Sequence, residues 1–394
     1  MKKILAFVLA AVMLLGLCAC QNAPETPDTP ETTTVPALDV TATDADIAQL
    51  DNLYAGRQAY HGELHDHADT GGTSDGRSTL EEWKEEMAYV KDMDFATIAD
   101  HKQVLHMRLE EWDNSLFIGG SEAGTSISDS KATQNKLHYN MLFAEPEGLE
   151  NVLNAFPSKY LYISDHFKYP SFTTEEFGEV IDAINANGGF FVHVHPCGDD
   201  YLVSDDSLDY WFGDNTGLEV LCGYYGNMSA QNNQEAYKVW TDLLAMGKRV
   251  YATSGSDSHK LSNTVSLTTI YSEKQDAKTY LDYVRSGNFT AGPVGIRMCV
   301  GDTPMGGTGS FAGKRVVVSA GDFHSLEFNP GRQYRIDLYD DKGLVGSQEV
   351  NLHLTSYIAV DADASSKFYR AEVYDMTEGY IVALGNPIWN DQVA

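Results

Sequence analysis

The chain of 394 residues is 43% hydrophobic and carries 27 basic against 57 acidic side chains, a formal net charge of −30. That length accommodates a core of roughly 200 to 250 residues plus a second module. No stretch gathers the basic face that phosphate backbones require, so long polyanions are poor partners and no nucleic acid is expected.

At the N-terminus Lys2 and Lys3 precede an apolar run from Ile4 to Leu17, which closes as Leu17-Cys18-Ala19-Cys20. A basic start, a short apolar stretch and a small residue before cysteine read as a secretory signal over residues 1–20. The run is short for a membrane span. An ordinary signal peptide cut nearby, or an uncleaved anchor, are the other readings. The ending resembles the lipobox of bacterial lipoproteins. That resemblance implies cleavage before Cys20, lipidation of Cys20, and an extracytoplasmic protein anchored to the bacterial cell membrane by lipid. Losing Lys2 and Lys3 leaves 27 − 2 = 25 basic against 57 acidic residues, a net charge of −32. Residues 21–50 read as a disordered tether, with Pro24, Pro27, Pro30 and Pro36, seven threonines, six acids, and no aromatic or basic residue. Such a composition cannot bury enough surface to fold. The folded part is expected from near Asp51.

From 60 to 292 strand-like and helix-like runs alternate, which predicts an α/β domain over 51–292 with a parallel sheet or barrel. Gly62 to His67 reads as a strand and carries His65 and His67 in ELHDH. Two apart in an extended chain, these histidines point the same way. Asp75 follows in SDG, then an amphipathic helix over Leu80 to Met93. The strand Phe95 to Ala99 runs into ADH with His101, and Leu116 to Glu122 ends within GSEAG. Leu137 to Ala144 carries His138, and a helix begins at Pro146. Thr174 to Asn187 is helical, stopped by Gly188-Gly189, and the strand Phe190 to His195 ends in HVHP. Leu218 to Leu221 is a strand, Ala230 to Met246 a helix, and Val250 to Ser254 a strand leading into SGSDSH with Asp257 and His259. Asp276 to Arg285 is the last predicted helix.

His65, His67, Asp75, His101, Glu122, His138, His195, Asp257 and His259 are nine potential metal ligands, all imidazole or carboxylate. That set suits a hydrolytic zinc, manganese or iron centre rather than a structural zinc finger. Nine side chains exceed the needs of one ion, so two or three divalent ions are expected. His67, His101, Glu122, His195 and Asp257 fall at or just past the C-terminal end of a predicted strand, the face where barrel enzymes place their chemistry. Singly, each packet has an ordinary explanation as a turn or an exposed strand. Ten of the twelve histidines lie between 61 and 259, however, and the packets recur at strand ends. His193 lies deeper in its strand and reads as a packing or supporting histidine. With Cys20 as anchor and Cys18 lost, Cys197, Cys222 and Cys299 remain, an odd number that argues against a disulfide framework. Cys197 reads as a thiol packed beside the site.

The order of these packets, HDH, SDG, ADH, SEAG, HYN, HVHP and SDSH, resembles the PHP (polymerase and histidinol phosphatase) superfamily over about residues 60 to 292. The resemblance implies a distorted (β/α)7 barrel with a two- or three-metal centre. By it, His65, His67, Glu122 and Asp257 would hold one ion, and Glu122 would bridge to a second held by His138 and His195. Asp75, His101 and His259 would hold a third.

Residues 293–394 change character. Short β-type runs (Arg315 to Ser319, Tyr334 to Tyr339, Leu344 to Val350, Tyr357 to Val360, Phe368 to Tyr374, Tyr380 to Leu384) predict a small antiparallel β-sandwich. The closing GNPIWN is similar to the ending of secreted PHP-type metallohydrolases of the carbaryl-hydrolase-like branch. Capping the barrel is the preferred role, ahead of orienting substrate or binding glycan.

The expected activity is hydrolysis of a phosphate mono- or diester by a metal-activated water. Three acids supply −3 where three divalent ions would supply +6, a positive well that suits a small phosphorylated or other anionic ester. The expected catalytic set is Glu122, Asp257 and His259, with Arg77, Lys102 and Lys260 close to ligand packets and able to grip phosphate. His106 and Arg108 are further candidates. A carboxylic ester, carbamate or amide hydrolase on the same metals is the alternative. A non-catalytic substrate-binding lipoprotein is the alternative of another class.

Overall fold

A helix forms where the composition suggested the end of a tether. In the computed structural model, which describes residues 40–130, 136–160, 169–198, 213, 215–223, 228–263, 266–325, 329–351 and 354–393, α1 spans Asp44–Leu53. Thr43 caps it: its hydroxyl accepts from the Asp46 N–H while the Asp46 carboxylate accepts from the Thr43 N–H. Asp46 also takes two hydrogen bonds from Arg315, at 2.9 and 3.1 Å, and Leu50 packs on Val317 and Ala359. The folded body therefore begins before Asp51, because acids read as solvated are a cap and an ion-pair partner. The signal, Cys20 and the tether up to residue 39 lie outside the described residues. Among the described residues no helix is long and apolar enough to cross a membrane.

The next elements are β1 (Gln58–Gly62), α2 (Leu80–Glu86), β2 (Ala96–Ile98), β3 (Phe117–Ile127), β4 (Lys136–Phe143), α3 (Pro146–Ala155), β5 (Ser171–Phe172), α4 (Thr174–Ala186) and β6 (Phe190–Val194). After them come β7 (Thr216–Cys222), α5 (Gln231–Ala245), β8 (Val250–Gly255), β9 (Thr268–Ser272) and α6 (Ala277–Arg285). The helices bury apolar stripes at helical spacing, such as Phe177, Val180, Ile181 and Ile184 in α4. A π-helical turn, Met87–Lys91, continues α2 and stops at Asp92 with φ +54°.

A seven-stranded sheet takes the order β2-β3-β4-β6-β7-β8, with β5 beside β3. It is mixed. β4 runs antiparallel to both β3 and β6, against the expectation of a parallel set. The cause is the connection: only residues 128–135 separate β3 from β4, whereas a parallel return needs a crossover of about a dozen residues or more. The two ends of the sheet meet across the segment Glu63–His67. On one side Asp66 N–H donates to Thr97 O (3.0 Å) and Ala99 N–H to Asp66 O (2.8 Å). On the other, His67 N–H donates to Ser258 O and Asp257 N–H to His65 O, both at 2.9 Å.

The C-terminal strands are β10 (Thr290–Ala291), β11 (Val294–Val300), β12 (Thr303–Pro304), β13 (Thr308–Gly309), β14 (Arg315–Phe323), β15 (Tyr334–Asp340), β16 (Gly343–Val350), β17 (Ser356–Asp361), β18 (Phe368–Asp375) and β19 (Tyr380–Asn390). β12-β11-β14-β17 form one antiparallel sheet. The other reads β1-β9-β10-β19-β18-β15-β16, so it continues into strands from the N-terminal half. Val294, Ile296, Val318, Ile336, Ile358 and Val373 belong to the apolar core that the two sheets share. The expected boundary at 292/293 thus falls between strands of one interleaved body, and Leu38–Ala394 is a single compact unit.

Candidate metal centre

All nine expected ligands come to one end of the mixed sheet. His67 follows the Asp66 bridge, His101 lies three residues past β2, His195 directly follows β6, and Asp257 and His259 follow β8. Glu122 does not end its strand as expected; β3 continues to Ile127 and Glu122 sits in its middle. It still reaches the site because β2 stops short: the Glu122 N–H donates to Ala99 O at 2.8 Å. His138 is near the start of β4, and the antiparallel register sets it opposite Gly124 and Val194. The reversal of β4 is what brings its N-terminal end to the C-terminal ends of its neighbours.

Three groups result, each with ligand atoms within 4.8 Å of one another: His65, His67, Glu122 and Asp257; Glu122, His138 and His195; His67, Asp75, His101 and His259. Glu122 presents a different oxygen to each of the first two. Its Oε2 lies 3.2 Å from His67 Nε2 and 3.6 Å from His65 Nε2. Its Oε1 lies 2.6 Å from His138 Nδ1 and 3.2 Å from His195 Nε2. In the third group Asp75 Oδ2 is 3.1 Å from His259 Nε2, and its Oδ1 is 3.3 Å from His101 Nε2. His67 departs from the implied assignment by belonging to two groups, its ring stacked on those of His101 and His259 at 4.8 and 4.4 Å.

These residues fit metal ions. His65 Nε2, His67 Nε2 and Asp257 Oδ1 are buried and lie at ion-pair distance from one another, yet none makes a well-directed hydrogen bond, a costly state unless something else binds them. Burial alone would raise the Glu122 pKa, but the His138 and His101 imidazoles outweigh it and hold the carboxyl well below its usual range. Conversely, burial would lower His67, yet Asp257 and Glu122 push it up to about 10. The cluster thus demands positive charge, which a divalent ion supplies in place of protons. Non-glycine residues with positive φ also gather here: Lys102 (+50°), His195 (+29°) and Asp257 (+50°). Strain of this kind persists where surroundings over-determine it.

Several supporting residues escaped the sequence reading. Glu219 in β7 accepts from His65 Nδ1 (3.1 Å) and from the His195 N–H (2.7 Å). Tyr169 pairs its hydroxyl with His138 Nε2 at 2.9 Å and stacks on that ring, in space left by Gly124, where a Cβ would come within 2.3 Å of Tyr169. Trp83 Nε1 donates to His67 O at 3.2 Å. Glu219 had one visible signal, a lone carboxylate in the otherwise uncharged TGLEVLC.

The other candidates scatter. Arg77 and Lys260 are exposed beside the third group, the Arg77 N–H donating to His259 O at 3.0 Å. Lys102 is buried, with its N–H on Glu122 O at 3.1 Å. Arg108 does not face the site: its guanidinium pairs with Glu150 at 2.9 and 2.7 Å on the surface of α3. His106 is fully buried near Asp100 and Trp112 and cannot meet a substrate. His193 is buried in β6, and burial lowers its pKa to about 3. Cys197 is buried, its thiol pushed up to about 12 by that burial, and Cys197, Cys222 and Cys299 form no disulfide among the described residues. Neither His193 nor Cys197 joins a metal-competent group among the described residues. No family model matches the chain, and no curated protein matches it.

Proposed function

We propose that this chain is a PHP-type metal-dependent hydrolase that cleaves a phosphate mono- or diester. The observation that carries the reading is Glu122, which offers one oxygen to each of two adjacent ligand groups, as a carboxylate bridging two ions does. The hydrogen bonds on both sides of Glu63–His67 support a closed barrel in which this segment is the seventh stave beside β2, β3, β4, β6, β7 and β8, with β4 reversed.

Zinc, manganese or iron in the centre would polarise a substrate oxygen and supply hydroxide at neutral pH. His65, His67, Glu122 and Asp257 would hold one ion, His138 and His195 with Glu122 a second, and Asp75, His101 and His259 a third. Asp75, His138, Asp257 and His259 are the partly exposed members, Asp75 and His259 the most so, and the site therefore opens on the side of those two, next to the exposed Arg77 and Lys260. Those two cations are placed to draw an anionic ester toward the ligands.

The test is turnover by the metal-loaded full chain of a phosphomonoester, a phosphodiester and a neutral carboxylic ester that share one leaving group. Faster phosphoester hydrolysis, abolished by chelation and restored by ions, is expected. A reversed preference would establish the ester or carbamate reading instead. Tight ligand binding without any hydrolysis would make it a capture protein. The Lys2-to-Cys20 pattern supports a lipid anchor outside the cytoplasm. Cys20→Ser should then shift the protein from membrane to soluble fractions; an unchanged distribution would refute the anchor.

A further inference from the structure

Glu219 is 1% exposed and touches candidate ligands of two different groups at once. One oxygen, Oε1, meets His65 Nδ1 at 3.1 Å; the other, Oε2, accepts the His195 backbone N–H at 2.7 Å. An ionised carboxylate can only accept. A neutral His65 that gives its Nδ1–H to this carboxylate keeps its lone pair on Nε2, the atom that faces Glu122 and Asp257. His195 has φ +29°, a backbone region that side-chain-bearing residues seldom occupy. The bond to its N–H helps to hold that conformation and so to aim its Nε2 at Glu122, 3.2 Å away. Gly255 leaves the necessary room: a Cβ there would sit 2.8 Å from Glu219 Oε1 and 2.5 Å from His65 Cβ.

We propose that Glu219 is a positioning residue that couples two metal sites, so that their ions are taken up and lost together. It sets the tautomer of His65 in the first group and the backbone of His195 in the second. Glu122 joins the same groups from the ligand side, whereas Glu219 joins them from behind. The inference rests on reading the cluster as a metal centre, but not on any substrate.

The experiment is equilibrium dialysis of the stripped full chain against zinc, with bound metal counted in wild type and Glu219→Gln. Glutamine keeps the volume but has one accepting oxygen, so it satisfies only one of the two N–H donors. Affinity for two ions should fall together, by about ten- to hundred-fold. Unchanged affinity, or loss of one ion alone, would overturn the coupling. Should the Gln variant fail to fold, Glu219→Asp decides the matter: it keeps an accepting carboxylate at shorter reach. A smaller paired loss would support the proposal, and wild-type affinity would overturn it. Metal counting needs no turnover, so absent hydrolysis would count against the phosphoesterase reading alone.

Discussion

Exchanging a single oxygen of Glu122 should do more damage than removing a whole imidazole elsewhere in the site. Glu122 serves two groups, whereas His138 serves one. Glu122→Gln keeps the side-chain volume but replaces one accepting oxygen by a donor that faces imidazole nitrogens. We expect it to remove two ions per chain and at least a hundredfold of activity, and His138→Ala to remove about one ion. Elemental analysis of the two variants checks the ranking; equal metal losses would show that Glu122 is not shared. The candidate ligands were readable in sequence because imidazole and carboxylate packets announce their chemistry. Glu219 was not, because its role depends on β7 lying beside both His65 and His195, a neighbourhood that no local pattern encodes.

Among the elements, α1 shows how composition misleads. The stretch containing Thr43, Asp44 and Asp46 has the acids and threonines of a tether, yet Thr43 and Asp46 form a capping box. Burial by itself would raise the Asp46 pKa, but hydrogen bonds from Thr43 and Arg315 prevail and lower it below the ordinary value of 3.8. A depressed carboxyl pKa contributes stability above the unfolded value, and that contribution is lost as pH falls through the folded one. Asp46→Ala should therefore cost about 2 kcal/mol at neutral pH, with the gap to wild type closing below about pH 4. Denaturant titrations at several pH values measure this, and a pH-independent gap would leave only a packing role. The strand β4 teaches the complementary lesson. Its apolar run was visible, but its direction lay in the shortness of residues 128–135 and not in the run itself.

At the scale of the whole molecule the C-terminal region shares hydrogen bonds and an apolar core with the mixed sheet. Asn386 Oδ1 accepts the Ala252 N–H at 2.8 Å, and its Nδ2 donates to Phe289 O at 3.3 Å. Trp389 packs on Tyr251, and Phe368, Leu384 and Trp389 belong to the same apolar core as the strands of the mixed sheet. The closing GNPIWN is therefore a stitch between halves, a contact that a sequence segmented at 292/293 could not display. A fragment of residues 51–292 should be insoluble or lack cooperative unfolding, whereas residues 40–393 should fold. Solubility and a thermal melt of both decide this; a cooperative melt of the shorter piece would restore the two-domain view. Asn386→Ala in the full chain should lower stability by about 1–3 kcal/mol, the cost of leaving buried donors and acceptors unpaired.

The segment Glu63–His67 links the β2 and β8 ends of the mixed sheet through a few main-chain hydrogen bonds on each side, and it also carries His65 and His67. Their ligand partners sit across both seams, Glu122 on β3 and Asp257 beyond β8. Ions held between them would act as rivets, so loading and closure become a single linked equilibrium. Binding only to the closed form adds RT ln(1 + [M]/Kd), about 4 kcal/mol at a thousandfold excess of metal over Kd. The melting temperature then becomes a gauge of free metal in the surroundings, and chelation should loosen the molecule first along this seam.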